Sequence, residues 1–202
     1  MTTPRVKPRK TPAQARSAET VRVILEAAAR ILETRGLDGY TTNAVAELAG
    51  VSVGSLYQYF PGKDALTASL LDRETGIFLA SMEYPDPVAD SRAALDHLIG
   101  ACVKHQLRRP ELARVLDFEE QRLPLRDQQE GLAARLTGTI TEILTRLPVD
   151  TEEAPRVMAG DIFAMTRGIV DAAGERGETD EVRLRLRVAR AVYGYLGLAQ
   201  AR

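Results

Sequence analysis

The side chains best suited to nucleic-acid chemistry are concentrated in residues 41–66, TTNAVAELAGVSVGSLYQYFPGKDAL. Their hydroxyl, amide, phenol and ammonium groups can hydrogen-bond to phosphate oxygens and base edges. Thr41 and Ser52 each stand where a hydroxyl can cap the start of a helix, and Gly50 lies between them, where the chain must turn sharply. The pattern predicts two short helices joined by a tight turn, which is the helix-turn-helix arrangement.

Apolar spacing in this segment predicts which side of each helix faces the core. Val45, Leu48 and Ala49 form a stripe on the first helix, and Leu56 and Phe60 mark the inner side of the second. The remaining side chains of the second helix are polar or aromatic and are left for the outside. Gly54 on this helix would permit close approach to DNA, and Val53 could contact a thymine methyl group.

The segment resembles the TetR (tetracycline-repressor-like) family of transcriptional regulators. The resemblance covers roughly residues 18–66 and is carried by Gly36, Tyr40-Thr41-Thr42, Val45-Ala46-Glu47, Ala49-Gly50-Val51-Ser52 and the run Gly54 to Leu66. It implies an all-α protein with an N-terminal three-helix DNA-binding domain and a larger C-terminal helical domain for dimerisation and ligand binding. The DNA contacts that we predict on this basis are Thr42, Asn43, Ser52, Val53, Gly54, Ser55, Tyr57, Gln58, Tyr59 and Lys63.

The resemblance also implies a role for each group of contacts. Thr42, Tyr59 and Lys63 are expected on the phosphate backbone. Val53, Gly54, Ser55 and Tyr57 are expected near the bases. Lys63 begins the next helix, whose free N–H groups can help to bind an anion. Two alternatives stay open: Tyr57 as a packing residue, and Asn43 as a solvent-exposed side chain without a DNA contact.

Charge is distributed unevenly along the 202 residues. The net charge is −1, yet residues 1–64 carry nine Lys or Arg against six acidic residues. The basic N-terminal segment indicates a polyanionic partner for residues 1–64 and not for the rest of the chain. Residues 1–16 are basic, rich in Pro and Thr and without periodicity; the sequence favours a disordered arm, which either enters a minor groove or keeps the chain soluble.

Composition excludes several other classes of protein. Cys102 is the single cysteine, so no internal disulfide framework exists, in agreement with a cytoplasmic location. No apolar run approaches the length of a membrane span, and the N-terminus lacks the apolar core of a secretory signal. We expect no membrane partner and no cofactor.

Helical periodicity continues to the C-terminus. Nine helices are predicted in all, and the clearest breaks between them are at Gly36, Gly50, Pro61-Gly62, Pro85-Asp86-Pro87, Pro110, Pro148 and 174–177. We therefore predict a helix-turn-helix domain at 17–65 and a ligand-binding and dimerisation domain at 66–202. The eighth and ninth predicted helices, about 154–173 and 179–198, are expected to pair with a second copy, because the last helix keeps an apolar face that includes Val192 and Leu196.

The C-terminal region offers candidates for a small-molecule site. A cavity for a small apolar or amphipathic ligand is implied by the resemblance, and the candidate ligand contacts are His105, Phe118, Asp161 and Met165. Asp161 has an equally physical alternative as an internal salt bridge or interface contact. Cys102 lies on an apolar stripe, which favours a buried, inert thiol over a metal or redox site, because neither further ligands nor a resolving thiol are visible.

Three functions are compared on this basis. The first is a dimeric, ligand-responsive repressor that binds a palindromic operator. The second is a DNA-organising helix-turn-helix protein without an inducer, for which a filled core would be expected. The third, a helical enzyme, lacks support because the sequence contains no nucleophile–base pair, phosphate loop or metal-ligand spacing, so no catalytic or metal residues are predicted.

Overall fold

The computed structural model describes residues 15–84, 90–149 and 151–198 of the chain. The described residues form nine α-helices and no strands, which confirms the all-α prediction. In chain order they are α1 (Ala15–Gly39), α2 (Thr42–Leu48), α3 (Val53–Tyr59), α4 (Lys63–Ser81), α5 (Ser91–Arg108), α6 (Pro110–Arg122), α7 (Arg126–Leu144), α8 (Pro155–Glu175) and α9 (Glu181–Tyr195). The predicted arm and the Pro85-Asp86-Pro87 break lie outside the described residues, except that 15 and 16 begin α1.

The described residues fall into two compact units. Unit 1 contains 15–77 and 111–125, and unit 2 contains 78–84, 90–110, 126–149 and 151–198. The predicted division at residue 65 assigns α6 to the C-terminal domain. In the structure, however, α6 belongs with unit 1, because Leu112, Val115 and Leu116 join its core.

The core of unit 1 takes its largest share from α1, and α2, α3, α4 and α6 contribute further members. Its large, fully buried side chains include Ile24, Ile31, Leu32, Tyr40, Leu56, Phe60, Leu66, Leu70 and Leu112. Gly36 has φ +60°, a conformation that few side chains tolerate, and the helical geometry of α1 is interrupted there as predicted. Burial of this apolar surface holds α2 and α3 in place.

Unit 2 packs α5, α7, α8 and α9 around a second core. Its buried members include Leu95, Leu98, Ile99, Val103, Ile140, Ile143, Met158, Ile162, Val170, Leu184, Val188 and Val192. Within the described part of the chain, no helix combines the length and apolar character needed to cross a bilayer.

Two predictions of helix faces were wrong. Val192 and Leu196 are 0% and 3% exposed because α9 buries them against its own chain. The large hydrophobic residues that α9 leaves exposed are Val182, Leu186 and Tyr195. Leu48 was expected inside but is 50% exposed, since α2 buries only Val45 and Ala46. A helical stripe indicates an inner side, but packing decides how wide that side is.

Candidate nucleic-acid interface

The α2–turn–α3 segment has the capped geometry that its residue types predict. The Thr41 hydroxyl accepts the Ala44 N–H at 3.1 Å, and the Ser52 hydroxyl accepts the Ser55 N–H at 3.0 Å. Both bonds satisfy backbone donors that a helix start leaves unpaired. Gly50 has φ +67°, which lets the chain reverse between the helices. Local chemistry therefore sets both the start and the direction of α3.

Burial separates the inner and outer sides of α3. Leu56 and Phe60 are buried in the core of unit 1. Val53 and Tyr57 are 37% and 41% exposed, which places two large apolar side chains in contact with solvent. The alternative that Tyr57 is mainly a packing residue is therefore disfavoured.

The structure brings all ten predicted DNA contacts together in α2, α3 and the residues that flank them, within unit 1. Six of them are exposed: Asn43, Ser52, Val53, Gly54, Tyr57 and Gln58. Four are half-buried: Thr42, Ser55, Tyr59 and Lys63. Their assignment as DNA contacts stays a prediction.

Hydroxyl groups on this face hydrogen-bond to one another. Thr42 and Tyr57 approach to 3.2 Å between hydroxyl oxygens, which links α2 to α3. The Ser52 and Ser55 hydroxyls are 2.8 Å apart, and Ser17 on α1 donates to the Tyr59 hydroxyl at 3.2 Å. Exposed hydroxyl pairs of this kind can exchange their mutual bond for one to a phosphate at small cost. The face is thus pre-arranged, yet its donors remain available.

Gly54 is a glycine that the surrounding protein does not require. Its φ is not in the left-handed region, and an added Cβ would meet only the Ser52 hydroxyl oxygen, at an ordinary contact distance of 3.8 Å. Glycine within a helix costs conformational entropy relative to alanine. Contacts within the chain therefore do not explain the glycine at this exposed position, whereas close contact with a binding partner would.

Lys63 is held at the first turn of α4 by surrounding side chains. Its ammonium lies 5.1 Å from the centre of the Tyr40 ring, within cation–π range. The Thr67 hydroxyl oxygen lies 3.2 Å from the Tyr40 hydroxyl and 3.0 Å from the Lys63 carbonyl, and its single hydrogen can be donated to either oxygen. Burial raises the pKa of Tyr40, so that its phenol stays uncharged even at alkaline pH. These contacts hold both the ammonium group and the backbone of Lys63 in a defined position in the absence of DNA.

Arg122 on α6 is a functional candidate that sequence reasoning missed. Its Nη2 lies 2.6 Å from Asp64 at the start of α4 and 2.6 Å from Glu119 on α6. The hydrogen bonds to Glu119 and then to Asp64 raise the pKa of Arg122. The three-residue spacing of Glu119 and Arg122 is visible in the sequence. The contact with Asp64, 58 residues away, has no such signal.

The four predicted ligand contacts lie on three helices, α5, α6 and α8, with Asp161 and Met165 four residues apart on α8. Phe118 lies in unit 1 on α6 and is 59% exposed, whereas the other three lie in unit 2. His105 packs on Phe78 with 4.7 Å between ring centres. Asp161 is exposed and accepts a hydrogen bond from the Tyr195 hydroxyl at 2.5 Å, so the partner described is a phenol and not the basic side chain that the salt-bridge alternative requires. Met165 packs against the unit 2 core.

Two pockets described in unit 2 contain none of these four residues. One, of about 230 Å³, lies where the end of α4 meets α5 and α7. It is lined by Leu79, Met82, Glu83, Tyr84, Ala94, Leu98, Arg135, Leu136, Thr139, Glu142 and Ile143. The other, of about 320 Å³, lies between α5 and α9 and includes Asp96, Arg185, Leu186 and Tyr193.

Cys102 is half-buried, and its thiol is expected to be unreactive at neutral pH. Burial raises the pKa of its thiol to about 12, so the nucleophilic thiolate is scarce at neutral pH. The described residues contain no cluster of three or more His, Cys, Asp or Glu side chains able to hold a metal ion.

A helical chain with a capped, outward-facing helix-turn-helix belongs to the class of DNA-binding regulators. Residues 24–70 match the model "Bacterial regulatory proteins, tetR family", and residues 90–196 match "Tetracyclin repressor-like, C-terminal domain". Because the second match spans more than half of the sequence, the chain belongs to the TetR family of transcriptional regulators. It is a transcription regulator and not an enzyme.

Individual relatives support this assignment. The chain is 27% identical over 156 residues to the nucleoid occlusion factor SlmA of Vibrio campbellii, covering 72% of this chain and 79% of that protein. It is 25% identical over 171 residues to the transcriptional repressor NicS of Pseudomonas putida, covering 84% and 70% respectively. The fold matches a TetR transcription regulator from Haloarcula marismortui with TM-score 0.76 and 18% identity, over 89% of this chain and 97% of that one.

Proposed function

We propose that this regulator is a dimeric repressor that binds a palindromic operator through the exposed face of α2 and α3 together with Lys63. The observation that carries the proposal is the outer side of α3, where Val53 and Tyr57 are exposed next to the unobstructed Gly54. Open space at a glycine allows a base pair or phosphate to approach the helix backbone closely. Operator DNA in the cytoplasm is the expected partner.

Selection from random duplexes tests this function. A two-fold dimer presents two copies of α3, so the recovered sequences are expected to contain two related half-sites in inverted orientation. Binding to the recovered duplex should weaken steeply with salt, because phosphate contacts release counterions. Recovery of sequences without two-fold symmetry would refute the palindromic mode.

The second copy is proposed to pack on α8 and α9. α8 exposes Val157, Ala164 and Gly168, and α9 exposes Val182 and Leu186. An added Cβ at Gly168 would meet open space, so the small residues of α8 leave room for a neighbouring helix. Apolar side chains left in water at several places on two adjacent helices favour a protein partner.

The ligand is proposed to be small and amphipathic, and to occupy the 230 Å³ pocket at the end of α4. The floor is apolar, with Leu98, Leu136 and Ile143, whereas Arg135 and Glu142 supply charge at its edge. An apolar pocket with a few polar groups is the usual character of small-molecule sites. This location replaces the set of His105, Phe118, Asp161 and Met165.

Repression is proposed to be relieved because the ligand favours a conformation that does not fit the operator. A ligand shifts such an equilibrium only by its difference in affinity for the two states, and coupling of about 1–3 kcal/mol is typical. By reciprocity, operator DNA must weaken ligand binding by the same factor. Calorimetric titration of an identified ligand into free and operator-bound protein measures this factor directly.

The likeness to a nucleoid occlusion factor favours a second candidate function, that of a DNA-organising protein without an inducer. In that case the helix-turn-helix still binds DNA, but unit 2 serves only dimerisation. Equal ligand affinities in the two titrations would support this candidate over the inducible repressor.

A further inference from the structure

Helix α6 is part of the same packed core as the helix-turn-helix. Leu112, Val115 and Leu116 are 1%, 6% and 5% exposed, and they join the cluster that contains Leu56 and Phe60 of α3. An α6 that served only unit 2 would not need to bury three side chains in this cluster. Residues more than 40 positions downstream of the helix-turn-helix therefore help to fix it.

Arg122, at the last turn of α6, connects this helix to the start of α4. Its partner Glu119 is 3% exposed, so that carboxylate depends on Arg122 for neutralisation. The same guanidinium nitrogen reaches Asp64 at 2.6 Å. Arg122 thus joins a buried carboxylate to a half-buried one on a different helix.

Asp64 is an unexpected neighbour for a phosphate-binding lysine. It directly follows Lys63, and a carboxylate there repels the phosphate that the lysine attracts. Its ion pair with Arg122, which is shared with Glu119, compensates the charge only in part, but it links the first turn of α4 to α6. The Tyr40 ring and the Thr67 hydroxyl hold the same turn at the Lys63 ammonium and carbonyl.

We propose that Arg122 is a positioning residue for DNA binding. Through its ion pair with Asp64 it orients the Lys63 side chain, so that α6 contributes to DNA binding. The proposal rests on the proposed contact of Lys63 with a phosphate. It assigns to Asp64 an anchoring role whose benefit exceeds its electrostatic cost.

Neutralising Asp64 separates positioning from charge, because the two effects have opposite signs. Asp64→Asn removes a negative charge near DNA, which by electrostatics alone should strengthen binding. If anchoring dominates, the full-length variant should instead bind a short mixed-sequence duplex about fivefold more weakly at low salt. That probe is sufficient because a phosphate contact does not depend on base sequence.

Matched variants isolate the effect. Asp38→Asn removes an exposed carboxylate from unit 1 outside α4 and measures the purely electrostatic change, which is expected to be neutral or slightly favourable. Arg122→Lys keeps the charge but loses the planar fork, so it should fall between wild type and Asp64→Asn. Arg114→Gln removes another α6 arginine, one that pairs only with Glu111 among the ion pairs described, and should leave the salt dependence of binding almost unchanged.

A double-mutant cycle with Lys63→Ala provides the decisive readout. Lys63→Ala should flatten the salt dependence by about one unit of slope, and Asp64→Asn should weaken binding no further in that background. Asp64→Asn binding as tightly as wild type, or weakening binding equally in both backgrounds, would overturn the positioning role. If Lys63→Ala itself changes neither affinity nor slope, the proposed phosphate contact fails and the inference fails with it.

Discussion

The two units differ in how their candidate sites are built from the sequence. In unit 1 the predicted DNA contacts lie within 22 consecutive positions, from Thr42 to Lys63, and the structure keeps them together. In unit 2 the pocket takes residues from α4, α5 and α7, and none of the side chains predicted for a ligand lines it. A site made by local turns can be located from sequence spacing, whereas a site made by packed helices cannot.

The largest expected effect is a loss of stability, and it tests which residues of α9 are buried in the core and which are exposed. Val192→Asp places a charge at a position with 0% exposure in the apolar core and should reduce the free energy of unfolding by about 3–5 kcal/mol, because the buried carboxylate loses its hydration. Leu186→Asp, on the exposed side of the same helix, should change the stability of the single chain by about 0.5 kcal/mol or less.

Leu186→Asp also tests the dimer. Denaturation measures chain stability, and sedimentation at several concentrations measures association. We expect this variant to dissociate at concentrations where the wild type is dimeric. A Leu186→Asp protein that stays dimeric would show that the second copy does not pack over this part of α9.

The next effect concerns the charge that unit 1 presents to DNA. Lys63→Ala should weaken binding about tenfold for all duplexes, because a charge-assisted bond to a phosphate is lost regardless of sequence. Lys104→Ala removes the same charge from the exposed side of α5 in unit 2 and should leave affinity unchanged. Fluorescence anisotropy over a salt series measures both; similar losses in the two variants would indicate a general charge effect instead of a site.

A smaller effect is expected at Gly54, with opposite signs for folding and binding. Gly54→Ala should stabilise the folded chain by about 0.5 kcal/mol, because alanine loses less backbone entropy in a helix. The added methyl group should nevertheless weaken operator binding, since it occupies the space proposed for close approach. Gly138→Ala on α7, where an added Cβ meets open space, is the control for stability without DNA contact.

Unchanged or improved operator affinity in Gly54→Ala would contradict that close approach. Thermal unfolding and binding are measured on the same preparations, so that a gain in stability cannot be mistaken for a gain in affinity.

The smallest effect is expected at Cys102. Because burial raises the pKa of the thiol to about 12, the protonated form predominates up to strongly alkaline pH, and oxidants meet little thiolate. Cys102→Ala, and peroxide treatment of the wild type, should both leave DNA affinity unchanged. Labelling by iodoacetamide should accelerate as pH rises towards 12; rapid labelling at neutral pH would contradict the raised pKa.

The sequence alone determined the helical class, the two capped helices and the outward set on α3. These follow from interactions within a few residues: Thr41 and Ser52 cap their own helices, Gly50 and Gly36 permit the turns, and Leu56 and Phe60 repeat at helical spacing. Family resemblance then added roles for Thr42 and Lys63 that periodicity does not supply.

Only the tertiary structure decided how distant segments combine. It placed α6 in the core of unit 1, joined Arg122 to Asp64, buried Val192 and Leu196 within their own chain, and formed a pocket from three helices. The physical reason is that an amphipathic helix has one apolar side, and several apolar surfaces elsewhere in the chain or on a partner could cover that side. Which surface covers it depends on the packing of the whole chain, and the side chains that line a pocket are those that packing leaves uncovered.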